Sequence, residues 1–130
     1  MLLDIVDTPV SPELLPTDDN GEMTQKTEDL VGPYELHDFF IYYFVRWGFE
    51  PCKLFDVACY AFEGEYDKRP ILFWLKTFVR RFVNQQFKRS CLPDGPMVTT
   101  CSLSPRGEWI MPSDACSTSW LNDIASDTTN

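Results

Sequence analysis

Seven of the chain's 11 Lys and Arg residues fall between Lys68 and Arg89, and only Asp67, at the edge of that window, answers them with negative charge. The run ends in Asn84-Gln85-Gln86-Phe87-Lys88-Arg89-Ser90-Cys91, followed at once by Leu92-Pro93-Asp94-Gly95-Pro96. Cations gathered in an otherwise acidic chain are suited to hold an anion, because attraction to phosphate or carboxylate strengthens where solvent is partly excluded. A solvated helix face is the competing reading of the same charges. Other chemistries have little material. His37 is the single histidine, and the five cysteines, Cys52, Cys59, Cys91, Cys101 and Cys116, form no CxxC pair. Zinc clusters and Ser-His or Cys-His nucleophile pairs are therefore poorly served. An odd number of thiols is simplest as a reduced set, with Cys52 and Cys59 as small apolar residues seven apart on one helix face.

Those cations must be positioned by helices. At 130 residues the length suits one domain, and the aromatic share of 15% supplies much ring surface. Pro33 suits a first helical turn and Gly48 a left-handed closing residue, which predicts a helix over 34–47. Its centre, Phe39-Phe40-Ile41-Tyr42-Tyr43-Phe44-Val45, is apolar all round and points to a partner that covers it. Glu50-Pro51 opens a second helix, with Leu54, Phe55, Ala58, Cys59 and Phe62 on one face and Gly64 ending it. A third, over 68–88, carries the stripe Ile71, Trp74, Leu75, Phe78, Val79, Phe82 and Val83, with Asp67 as N-cap and Pro70 in the first turn. Prolines and glycines from Cys91 to Pro112 predict a long irregular loop of the kind that often carries function. Ser113 is the expected cap of a last short helix that packs Trp120, Leu121 and Ile124. The fold class expected is thus mainly α, about four helices and a long loop, with segments 1–32 (acidic lead-in), 33–125 (helical part) and 126–130 (frayed tail). Within the lead-in, a turn is expected at Asn20-Gly21 and a short strand or helix at Asp4-Ile5-Val6-Asp7.

The net charge of −9 opposes nucleic-acid binding outside the basic segment. No run reaches the length that crosses a bilayer, and the amino end lacks a signal peptide's basic region, so a cytoplasmic protein is expected.

Several longer strings carry a resemblance. They are Val31-Gly32-Pro33-Tyr34-Glu35-Leu36-His37-Asp38-Phe39-Phe40, Gln86-Phe87-Lys88-Arg89-Ser90, Leu92-Pro93-Asp94-Gly95-Pro96, Leu103-Ser104-Pro105-Arg106-Gly107-Glu108-Trp109 and Met111-Pro112-Ser113-Asp114-Ala115. Together with Ser11-Pro12-Glu13-Leu14 and Gln25-Lys26-Thr27-Glu28-Asp29, they resemble, in order, the carboxy-terminal end of bacterial glutamine-dependent NAD synthetases. The resemblance implies the terminal helical part of an α/β synthetase domain of the adenine-nucleotide alpha-hydrolase type. It implies an amide ligase that adenylates deamido-NAD with ATP and magnesium, then accepts ammonia from an upstream nitrilase-like glutaminase domain. Partners implied are the upstream synthetase core, that glutaminase domain, deamido-NAD and further copies in a homo-oligomer, with neither nucleic acid nor membrane.

The family's Ser-Gly-Gly-x-Asp-Ser phosphate loop has no counterpart, and no Gly-Gly occurs. A fragment inactive by itself is therefore expected, with no catalytic residue, metal ligand or bound cofactor of its own. Carried over residue by residue, the resemblance makes Lys88 a deamido-NAD contact, with Arg89 adjacent to support it, and puts Glu28 and Asp29 in a flap over the site. Met97 stands where a Lys is common and Pro70 where a helix-start Glu is common. His37 is expected to serve helix packing or hydrogen bonding, and Arg106 to lock the loop through carboxylate or carbonyl contacts. A non-catalytic helical interaction module is the alternative.

Overall fold

A computed structural model describes Leu3, Glu28 and residues 31–127. The expected turn at Asn20-Gly21 and the element at Asp4–Asp7 lie outside the described residues. The chain separates into two compact units, Met1–Tyr34 and Glu35–Asn130. Among the described residues there are five α-helices and no strand: α1 (Tyr34–Ile41), α2 (Pro51–Ala61), α3 (Lys68–Asn84), α4 (Gln86–Ser90) and α5 (Thr118–Asp127). A π-helical turn, Tyr42–Arg46, continues α1.

The apolar positions explain the packing of the larger unit. Leu36, Phe40 and Phe44, four residues apart, fall on one side of α1 and its π turn and are buried. Leu54 and Ala58 of α2, Ile71, Leu75, Phe78, Val79, Phe82 and Val83 of α3, and Ile124 of α5 complete the core. Burying one such aliphatic or aromatic side chain contributes roughly 1.5–3 kcal/mol against exposure. Rings meet edge to face: Phe44 lies 5.9 Å from Phe78, 5.2 Å from Phe82 and 5.4 Å from Trp120 between centroids.

The full apolar girth of the first helix needs less outside cover than its sequence predicts. Phe39 packs on Phe62 at 5.3 Å, and Tyr43 stacks on Phe49 at 5.3 Å, so residues of the same chain shield two further sides. Tyr42 and Trp47 are exposed, at 38% and 60%. The π turn widens the backbone before Gly48, whose φ of +63° closes the helix while its N–H donates to the Phe44 carbonyl at 3.1 Å.

Three boundaries differ from expectation. Asp67 occupies the N-cap position of α3 with extended backbone, but its side chain makes no capping hydrogen bond. The predicted helix over 68–88 breaks at Gln85 (φ −109°, ψ 22°) and resumes as α4. A continuous helix would extend the buried pair Phe82 and Val83 to Gln86 and Phe87; Gln86 is fully buried, but Phe87 is 55% exposed. Ser113 is not the cap of the last helix. The buried Ser117 precedes α5, its carbonyl accepts the Leu121 N–H at 3.1 Å, and its hydroxyl donates to Asn84 Oδ1 at 3.2 Å. Helix α5 then runs to Asp127.

Phe40 is the most central ring, with none of its surface exposed and with Phe39, His37 and Phe78 around it. Phe40→Ala is expected to lower stability by about 3–5 kcal/mol through lost burial and the cavity left behind. Urea denaturation of both chains measures this, and a midpoint unchanged by the substitution would contradict the assigned core.

Candidate functional site

The basic run of α3 ends where the chain changes direction, and that change decides which cations are free. Lys68, Arg69 and Arg80 are exposed, while Lys76 and Arg81 are half-buried beside the apolar stripe. Past the Gln85 break, the Lys88 N–H donates to the Gln85 carbonyl at 3.1 Å and its side chain is exposed. Among the described residues, the ion pair near this surface joins Arg106 Nε to Asp94 Oδ1 at 3.1 Å, and Lys88 takes no part in it. Lys88 is thus an accessible ammonium at the carboxyl end of a helical turn, where carbonyl dipoles favour a cation.

Arg89, the next residue, does something different. Its Nε donates to Gln86 Oε1 at 2.9 Å, and its Nη2 donates both to Gln86 Oε1 and to the Phe82 carbonyl. The guanidinium carbon stands 4.3 Å from the centroid of the Phe82 ring. Burial lowers the pKa of this guanidinium from its ordinary value, although it stays fully charged near neutrality. The group therefore faces protein, not solvent.

The loop from Cys91 onward is irregular, as its prolines and glycines predict, and residues 91–100 are all exposed. It is pinned farther along. Trp109 sits 5.5 Å from Phe44 and 5.1 Å from Phe82, and its indole N–H donates to Met111 Sδ at 3.0 Å. The turn before it is closed by the Trp109 N–H on the Ser104 carbonyl at 2.9 Å. Arg106 ties this turn back to Asp94, the carboxylate contact expected of it. Because both partners are largely exposed, that tie contributes roughly 0–1 kcal/mol. Met97 in this loop is 59% exposed.

Glu28 belongs to the smaller unit. Its carboxylate accepts the N–H of Tyr34 at 3.3 Å and its carbonyl accepts the N–H of Gly32 at 2.8 Å, so it satisfies amides at the start of α1. Asp29 lies outside the described residues. His37 packs as an aromatic, with centroids 6.1 Å from Phe40 and 6.0 Å from Phe78.

Two concavities adjoin at Trp120. One is lined by Phe44, Phe49, Trp109 and Trp120, the other by Glu50, Cys52, Trp120 and Asp123, and neither includes Lys88 or Arg89. Among the described residues, no group of three or more His, Cys, Asp or Glu side chains could hold a metal ion. Nor is any described helix long and apolar enough to cross a membrane.

The five cysteines form no disulfide with one another. Burial raises the pKa of Cys59 above its ordinary value, with Lys68 lowering it and Asp56 raising it to smaller extents. The hydroxyl and backbone of Thr118 lower that of the exposed Cys116. More thiolate at a given pH means faster alkylation. Limited iodoacetamide treatment at pH 8, read by mass spectrometry, is expected to label Cys116 well before Cys59; the reverse order would contradict this placement.

Comparison with known proteins adds the wider frame. The chain is 38% identical, over 142 aligned positions, to the glutamine-dependent NAD(+) synthetases of Mycobacterium leprae, Mycobacterium bovis and Mycobacterium tuberculosis. The alignment covers 95% of this chain and 21% of each relative, so the chain spans about a fifth of their length. No family model matches it.

Proposed function

We propose that this chain, related along 95% of its length to glutamine-dependent NAD(+) synthetases, is the carboxy-terminal helical part of such an enzyme and contributes a deamido-NAD contact. The observation that carries this reading is similarity across nearly the whole chain, joined to an exposed Lys88 that no ion pair among the described residues occupies. The ammonium on its four-carbon stem meets a phosphate or carboxylate oxygen without demanding a planar partner. Such a contact can also stabilise negative charge that grows on the substrate during amide formation.

The rest of the reaction is assigned to polypeptide outside this chain. ATP and magnesium would act in the complete enzyme. Among the described residues no group of three or more His, Cys, Asp or Glu side chains could hold the metal, and the sequence has no glycine-rich phosphate cradle. Glu28 and Asp29 would serve as part of a flap over the completed site. The isolated chain is expected to lack ATP-dependent amidation, and the complete enzyme is expected to act as a cytoplasmic homo-oligomer with its own glutaminase domain.

A second reading, a non-catalytic interaction module, draws on other residues. Phe87, Leu92, Met97, Val98 and Ile110 are exposed by 54–87%. Apolar side chains gathered around one loop suit a surface covered by other protein.

In the complete synthetase, Lys88→Ala is expected to raise the KM for deamido-NAD by roughly 10- to 100-fold, the scale of a lost charged hydrogen bond. Glutaminase turnover is expected to stay unchanged. Steady-state kinetics in both substrates test this, and synthetase kinetics identical to wild type would reject the role of Lys88 and favour the module.

A further inference from the structure

We propose that Gln86 and Arg89 are positioning residues that form a splint across the helix break and hold Lys88 at the angle its substrate contact requires. This rests on the reading of Lys88 given above. At the break the Gln85 N–H still reaches the Arg81 and Val83 carbonyls, but the Phe82 carbonyl between them loses the helical bond that Gln86 would otherwise donate. The Arg89 guanidinium supplies the missing donor by bonding the Phe82 carbonyl, and the same group reaches Gln86 Oε1 through two nitrogens. One planar fork thus ties the end of α3 to α4 while lying on the Phe82 ring. Lysine, a point donor, cannot bridge two such acceptors with the same geometry.

Gln86 shows what this arrangement costs. The residue is fully buried, yet its Nε2 has no hydrogen-bond partner among the described residues. An unsatisfied buried donor costs about 1–3 kcal/mol, and an apolar side chain of similar size would avoid it. A methionine would extend the apolar stripe of Val79, Phe82 and Val83 with little change in volume. Packing alone therefore argues against glutamine here, and its acceptor oxygen, facing Arg89, is the feature that explains it. The pair separates the neighbours Lys88 and Arg89 by role: one cation faces solvent and the other anchors its backbone. Identical charge on adjacent residues hides this division until the contacts are seen.

The experiment compares Gln86→Met, Gln86→Glu and Lys88→Ala in the complete synthetase, reading thermal midpoint, kcat and the KM for deamido-NAD. Gln86→Met removes both the acceptor and the orphan donor. Its thermal midpoint is expected to hold or rise while KM for deamido-NAD rises roughly tenfold and kcat at saturation is kept. Gln86→Glu keeps an acceptor for Arg89 and is expected to hold KM near wild type. Three results overturn the splint while Lys88→Ala still raises KM: an unchanged KM in Gln86→Met, a KM that rises only together with a fall in thermal midpoint, or equal rises in both Gln86 variants. An unchanged KM in Lys88→Ala instead overturns the substrate contact, and the positioning role falls with it.

Discussion

Phe82 joins the core, the basic helix and the long loop through one residue. Its ring stands 5.2 Å from Phe44, 5.4 Å from Phe78 and 5.1 Å from Trp109, and the guanidinium of Arg89 lies over it. Its carbonyl accepts from that same guanidinium. Trp109 brings the far side of the irregular loop onto this ring, and Arg89 brings the near side, so the exposed residues 91–100 are suspended between two anchors on one aromatic group. An exposed loop held at both ends loses less conformational entropy when it meets a ligand or neighbouring protein than a free one does. The sharp local geometry at Lys88 follows from this arrangement, because α4 is too short to hold a direction by its own backbone bonds.

Much of this was legible from spacing. The three- and four-residue intervals of Leu54, Ala58, Ile71, Leu75, Phe78 and Phe82 mark the buried faces, and Gly48 and Gly64 mark the ends, both with positive φ. The break at Gln85 was not legible. Glutamine has good helix propensity, and nothing in Asn84-Gln85-Gln86 signals a stop. The decisive forces are tertiary: Arg89 folding back on Phe82, and Ser117 of a distant segment binding Asn84. The same limit explains the misplaced last cap. Ser113 follows a proline and looks like a helix start, but the chain makes a turn there and the helix begins only once Ser117 is buried against α3.

The basic region was legible in composition, whereas Lys88 within it was singled out by the family resemblance. A run of seven cations against one acid identifies the region, yet only contacts separate the solvent-facing Lys88 from the inward Arg89. Glu28 likewise reads as an acid near a loop, whereas in the structure its carboxylate bonds the first amide of α1.

The most direct test is a crystal structure of the complete synthetase bound to deamido-NAD. The account predicts Lys88 Nζ about 2.7–3.2 Å from a phosphate or carboxylate oxygen of the dinucleotide, with Arg89 still bridging Gln86 and the Phe82 carbonyl. A dinucleotide bound at a distance from Lys88, or held by Arg89 released from Gln86, would contradict it.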